Sequence, residues 1–259
     1  MTNLEQNTEQ NTEQTSEQTS VLITGGNKGL GLEAARRLGE RGWTIFLGSR
    51  DEGRGRAAAG KLTAGGANVV MVPLDVTSDE SVAEAVRLVR KHTDRLDVLI
   101  NNAGAPGRVV APADATADEI HSVYDTNVYG PIRVTHAFLP LLQAADHPRV
   151  VMVSSGGGSF AVVTDPEQPV SKMHELAYSS SKAALNMITV RYAQALPKIK
   201  FNVATPGEVA NRAFAATDMN NHTGVLTVTE GTDSIVRLAT IDADGPSGIF
   251  VDRLGPVAW

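Results

Sequence analysis

Tyr178-Ser179-Ser180-Ser181-Lys182 opens a stretch whose apolar positions Ala184, Leu185 and Ile188 predict a helix. A spacing of four places the phenol and the ammonium on one helical face. A phenol titrates near 10, so acid–base work near neutral pH needs it lowered toward roughly 7 or 8, at about 3–4 kcal/mol. A cation about 4 Å away, at an effective dielectric near 20, supplies an interaction of about that size. Lys182 is therefore expected to lower Tyr178 into working range. Such a pair also arises by chance as a surface contact, so its neighbours matter. Upstream, the apolar run 150–153 ends in Ser154-Ser155-Gly156, and the run 98–100 ends in Asn101-Asn102-Ala103-Gly104. Hydroxyls and amides at such strand ends face the ligand crevice of an open α/β sheet.

A second group of residues fits a dinucleotide. The run 21–24 leads into Thr24-Gly25-Gly26-Asn27-Lys28-Gly29-Leu30-Gly31 and then into a helical pattern. Glycines let backbone approach a pyrophosphate, and a helix start supplies free N–H groups and about half a positive charge. The next strand ends Leu47-Gly48-Ser49-Arg50. An NAD-binding unit usually places a carboxylate there for the adenosine ribose. Here Ser49 stands in that place, Arg50 would meet a 2′-phosphate, and Lys28 would add a second positive charge. A charge-assisted bond contributes about 1.5–3 kcal/mol, a roughly 10- to 100-fold preference. Asp51 keeps NAD open: it fits a helix cap, but a one-residue slip in register would make it the ribose acid. The reading favours NADP.

The elements that hold these residues follow from the pattern. Apolar runs at 21–24, 44–47, 68–72, 98–100, 150–153, 201–204 and 249–251 are hydrophobic at successive positions, as in strands covered on both faces. Helical stripes lie between them. Leu30, Ala34 and Leu38 mark one that ends at Gly42. Val82, Val86 and Val89 mark another, entered through Thr77 with Glu80 in a capping-box pattern. The alternation predicts an α/β fold, a doubly wound parallel sheet of about seven strands in a single domain spanning 20–259.

Residues 1–19 read differently. Glu5, Glu9, Glu13 and Glu17 recur every four residues among Gln, Asn, Thr and Ser, with little to bury. A disordered polar tail is expected. Its glutamates account for four of the six net negative charges, leaving −2 on the body. That balance argues against a nucleic-acid surface. No apolar run approaches the roughly 20 residues of a membrane span, no secretory pattern opens the chain, and a cytoplasmic location is expected. The absence of Cys excludes thiolate catalysis and Cys-ligated metals. The six histidines form no paired metal signature, so no metal is expected.

Together these motifs, in this order, resemble the short-chain dehydrogenase/reductase family over nearly all of 20–259. Thr24-Gly25, Gly29 and Gly31 match its cofactor loop, Asp75 its adenine-side acid, and Asn101-Asn102-Ala103-Gly104 its mid-sheet motif. Tyr178 and Lys182 match its catalytic pair, Asn127 its relay asparagine, and Pro206-Gly207 the turn after the sixth strand. The resemblance implies a Rossmann-like fold and NADP(H) contacts from Gly25, Asn27, Lys28, Gly29, Leu30 and Gly31. It implies further contacts from Ser49, Arg50, Asp75 and Val76, from Asn102, Ala103 and Gly104, from Tyr178 and Lys182, and from Pro206, Gly207 and Val209. It also implies roles. Ser155, the second of the serine pair, polarises the substrate oxygen and Tyr178 protonates it. Lys182 grips the nicotinamide ribose, and Asn127 holds a water that links Lys182 to solvent.

Three features resemble the carbonyl reductase subgroup: Asn27-Lys28 in the loop, the 23-residue separation of Ser155 from Tyr178, and the ending Gly245-Pro246-Ser247-Gly248-Ile249-Phe250. The added segment, with Asp165-Pro166-Glu167-Gln168-Pro169, is expected over the substrate mouth. Long insertions in that subgroup block the usual dimer face; this shorter one leaves a homo-oligomer open. Where the family often has a carboxamide-binding threonine, Asn211 stands as a substitute. The expected activity is NADPH-dependent reduction of a small-molecule ketone, aldehyde or quinone. An NAD-dependent alcohol dehydrogenase working oxidatively and a non-catalytic NADP-binding protein are the alternatives.

Overall fold

The computed structural model describes residues 18–209, 211, 213–218 and 222–259; the Glu/Gln-rich stretch through residue 17 lies outside them. Seven strands form one sheet: β1 (Ser20–Ile23), β2 (Thr44–Ser49), β3 (Asn68–Pro73), β4 (Val98–Asn101), β5 (Arg149–Val153), β6 (Lys200–Ala204) and β7 (Phe250–Val251). Every neighbouring pair is parallel, in the order β3-β2-β1-β4-β5-β6-β7. The chain winds outward from β1 to β3, then returns to β4 beside β1. That reversal opens a crevice at the carboxyl ends of β1 and β4, where ligands bind in open α/β sheets.

The continuous hydrophobic runs are explained by two helical layers. Side chains alternate across a strand, so Val21 and Ile23 enter one core while Leu22 enters the other. The first core is completed by α1 (Gly29–Gly39), α2 (Glu52–Ala64) and α8 (Val228–Ala239), through Ala34, Leu38, Leu62 and Ile235. The second is completed by α3 (Asp79–Val89), α5 (Gly130–Gln143) and α7 (Leu176–Ala195), through Val82, Phe138 and Leu185. A further helix, α4 (Ala117–Tyr124), runs into α5 through a π-helical turn, Asp125–Tyr129.

Local boundaries shift from the sequence reading for identifiable reasons. The cap of α3 is Ser78, whose side chain accepts from the Ser81 N–H; Thr77 instead donates its hydroxyl to Asp75 at 2.7 Å. Helix α1 stops at Gly39 rather than Gly42, because Gly42, at φ +79°, closes the turn that returns the chain to β2. The segment between Ser155 and Tyr178 folds into a short helix, α6 (Phe160–Val163), and two 3-10 turns. Its first half is pinned to residues 258 and 259. Ser159 Oγ donates to the Ala258 carbonyl at 2.7 Å, and the Ala161 N–H donates to that of Trp259 at 3.0 Å.

One close approach seats α7 against the end of β5. A Cβ at Gly158 would lie 2.6 Å from the Lys182 carbonyl carbon and 2.9 Å from the Ala183 nitrogen. Both are backbone atoms, which yield only if the helix moves. Gly158→Ala is therefore expected to cost about 1–3 kcal/mol of stability, as overpacking does. Denaturant unfolding measures it; an unchanged midpoint would show that turn and helix do not touch this way.

Candidate active site

All the chemistry-bearing residues singled out from the sequence lie on loops at the carboxyl edge of the sheet or on the helices that start there. At the phosphate end, Thr24 anchors the glycine loop to the loop after β4. Its Oγ1 accepts from the N–H groups of Asn102 and Ala103, each at 2.9 Å. The Asn102 side chain answers by donating to the carbonyls of Thr24 (2.9 Å) and Gly25 (3.1 Å). A Cβ on Gly31 would fall 2.5 Å from Asn102 Nδ2 and 2.6 Å from the Gly25 carbonyl oxygen. Only glycine fits this close approach. Lys28 caps α1 with backbone alone and no side-chain bond, which leaves the first-turn N–H groups available to an anion. The Lys28 ammonium is paired with Asp218 at 2.7 Å, both largely exposed. Asn27 and Leu30 are half-buried alongside.

At the far end of β2, Ser49 is buried and donates its hydroxyl to the Asp51 carbonyl at 2.8 Å. Asp51 caps α2 by accepting from the Arg54 N–H at 2.9 Å. Arg50, between them, is exposed and makes no hydrogen bond or ion pair with the described residues. Asp75 is half-buried and accepts from Thr77; Val76 beside it is buried. Ala103 is half-buried and Gly104 exposed.

At the other end of the crevice, the Ser155 hydroxyl is close enough to the Tyr178 phenol to favour its ionised form. Ser155 Oγ accepts from the Gly157 N–H at 3.1 Å. The neighbouring Ser154 is turned away, donating to the Lys182 carbonyl at 3.4 Å. Lys182 is buried; its Nζ donates to the Val153 carbonyl at 2.8 Å and lies 5.6 Å from the centre of the Tyr178 ring. Asn127 sits in the π-helical turn, fully buried. Its amide bridges the Ala105 N–H (2.7 Å), the Ala105 carbonyl (2.9 Å) and Ser181 Oγ (3.0 Å). It therefore ties the loop after β4 to α7, one residue from Lys182.

The loop after β6 sets the expected Pro206, Gly207, Val209 and Asn211 beside acids that sequence reasoning did not single out. Pro206 and Gly207 are half-buried. Glu208 is buried and accepts from Arg253 and, at 2.8 Å, from the Asn211 amide. The Asn211 side chain, expected to take a carboxamide, is thus engaged with Glu208. The Val209 N–H donates to Asp252 at 2.8 Å, and Asp252 also accepts from the Leu254 and Gly255 N–H groups. Acids at 208 and 252 flanking an arginine at 253 were the available signal, but only the fold brings them together.

A family model described as short chain dehydrogenase matches residues 19–222. The chain belongs to the short-chain dehydrogenase family. Among its curated relatives, short-chain dehydrogenase/reductase 1 of Saponaria officinalis is 34% identical, over 90% of this chain and 93% of that protein. The (+)-neomenthol dehydrogenase of Capsicum annuum is 30% identical, over 90% and 95%. An NADPH-bound carbonyl reductase from chicken fatty liver superposes with a TM-score of 0.80 at 28% identity, covering 93% of this chain and 99% of that one.

Electrostatics in this family member differ from the expectation drawn for the Tyr–Lys pair. Burial pushes the Tyr178 phenol up to about 12, against the lowering effect of the Ser155 hydrogen bond and together with the charge of Glu175. Burial pushes the Lys182 ammonium down to about 8. Desolvation, which disfavours the phenolate, is the largest cause of that rise. The same burial has a stability signature. Lys182 binds fewer protons folded than unfolded between its folded value near 8 and its ordinary 10.5. Its burial therefore costs stability at neutral pH, and that cost is relieved as pH rises through this window. Lys182→Met is expected to be more stable than the wild type by a few °C at neutral pH, with the gap shrinking between pH 8 and 10.5. Thermal midpoints of both proteins across that range check it; a variant less stable at neutral pH contradicts it.

Proposed function

We propose that this chain is an NADPH-dependent oxidoreductase that reduces the carbonyl of a small molecule to an alcohol, with Tyr178 as the proton donor. The observation that carries the reading is the buried Lys182 ammonium, 5.6 Å from the centre of the Tyr178 ring, with the Ser155 hydroxyl at the same strand end. A hydroxyl and a phenol side by side at the crevice would form a cradle for one carbonyl oxygen. A phenol held protonated by burial is suited to donate.

The residues at the phosphate end fit a dinucleotide: the Gly31 close approach leaves no room for a side chain, and the start of α1 has uncapped N–H groups. Gly25, Asn27, Gly29, Leu30 and Gly31 would hold the pyrophosphate. Asp75 and Val76 would border the adenine, and Asn102, Ala103 and Gly104 the middle of the cofactor. Pro206, Gly207 and Val209 would border the carboxamide. When bound, the reduced nicotinamide supplies the hydride. Ser155 would hold the carbonyl oxygen, and Tyr178 would deliver its proton there. Lys182 would orient the ribose and keep positive charge near the phenol. Asn127, one residue from Lys182 through Ser181, would lead protons in by way of water.

Support for NADPH over NADH comes from the end of β2. Ser49 replaces an acid, Asp51 is committed to capping α2, and Arg50 is exposed without a partner among the described residues. The similar chicken carbonyl reductase is an NADPH-bound protein. Lys28 would join Arg50 only by leaving Asp218.

Two measurements test this. Tyr178→Phe is expected to lower kcat about 10²- to 10⁴-fold while the NADPH dissociation constant changes less than about threefold. Unchanged turnover would remove Tyr178 from the chemistry. Arg50→Ala is expected to reduce the NADPH-over-NADH preference in kcat/KM by about 10- to 100-fold, and an unaltered preference would remove Arg50 from the phosphate site.

A further inference from the structure

Glu175 is the residue immediately before α7, three positions ahead of Tyr178, with extended backbone (φ −84°, ψ 111°). Glu175 is thus the N-cap and Tyr178 the third residue of the helix, the two positions that a capping box brings together. A carboxylate there would ordinarily turn onto the exposed N–H groups of the first turn. Glu175 does not: its side chain makes no capping bond. It is half-buried and forms no hydrogen bond or ion pair with the described residues. Burial accordingly raises its carboxyl above the usual range. The nearby Lys172 and His174 are exposed, and Lys182 is bonded to the Val153 carbonyl. Its charge is nonetheless felt at the reacting group, since Glu175 acts electrostatically on the Tyr178 phenol.

A half-buried carboxylate without a partner is costly. Placed beside the proton donor, it also opposes the negative charge that grows on a carbonyl oxygen as hydride arrives. A cation on the substrate offsets both costs at once; a hydroxyl would leave the negative charge in place. We propose that Glu175 is a specificity-determining residue that receives a protonated amine on the substrate, so that the preferred substrate is an amino ketone or amino aldehyde with nitrogen within a few bonds of the carbonyl. This rests on the reading of Tyr178 as proton donor.

The test compares α-(dimethylamino)acetophenone with its neutral isostere isovalerophenone near neutral pH, with NADPH, in the wild type and in Glu175→Gln. The wild type is expected to favour the amine by roughly 10- to 100-fold in kcat/KM, the worth of one charge-assisted contact. Glu175→Gln is expected to erase that preference, lowering kcat/KM for the amine without lowering it for isovalerophenone. Equal kcat/KM for both ketones in the wild type, or a preference that survives in Glu175→Gln, overturns the proposal. So does an equal fall for both ketones in the variant, which would make Glu175 a positioning residue for Tyr178. Calorimetric binding of the two ketones to the NADP complex separates this from the reductase reading. Glu175-dependent binding of the amine without turnover would contradict the reductase and uphold the amine site; binding of neither ketone would overturn the amine site.

Discussion

Everything in this site depends on holding a half-buried phenol and a buried ammonium in the same corner, at the end of β5. Each is hard to ionise there, and the two shifts run in opposite senses: the phenol is held protonated and the ammonium is loosened. The ammonium is kept by a single carbonyl, that of Val153. Beside the phenol stands a hydroxyl from the next loop, that of Ser155. Desolvation of this kind reduces stability, and the surrounding packing must hold it. Gly158 presses its turn onto the backbone of α7 at Lys182, Asn127 ties α7 to the loop after β4, and Ser154 bonds the same helix.

The sheet supplies the rest of the geometry without further devices. Because β1 and β4 are neighbours and the chain reverses between them, the glycine loop and the Asn102 loop meet over one crevice. Thr24 and Asn102 fasten them with four hydrogen bonds. The strands then march outward through β5 and β6, each ending at the same edge. The phosphate end and the chemical end of the crevice thus come from loops far apart in sequence. The loop after β6 is closed by ions, with Arg253 reaching Glu208 and Asp233, and by a small apolar cluster of Ala213, Ala215 and Leu226 against Leu30.

Much of this was legible in the residues. Successive apolar positions in runs such as Val21 to Ile23 predict strands covered on both faces, and two helical layers cover them. Motif residues at strand ends place the crevice. What escaped was of two physical kinds. Local competition decided the caps: Ser78 and Thr77 carry the same chemistry, and the proximity of Asp75 to Thr77 assigned them. Desolvation decided the electrostatics. A spacing of four predicts that Lys182 and Tyr178 lie close, but no spacing says how dry the corner is, and dryness raised the phenol instead of lowering it. The loop residues Glu208, Asp252 and Glu175 are acids whose roles depend on burial and on partners from other elements, which no local pattern encodes.

The pH dependence of kcat/KM for ketone reduction with NADPH probes the central claim most directly, because it reads out which buried group leaves its working state first. Since Tyr178 stays protonated to about 12 while Lys182 loses its proton near 8, the rate should be level through neutral pH and decline as pH passes about 8. A profile level through that region, falling only around the ordinary phenol value of 10.0, would show a solvated tyrosine and contradict the account.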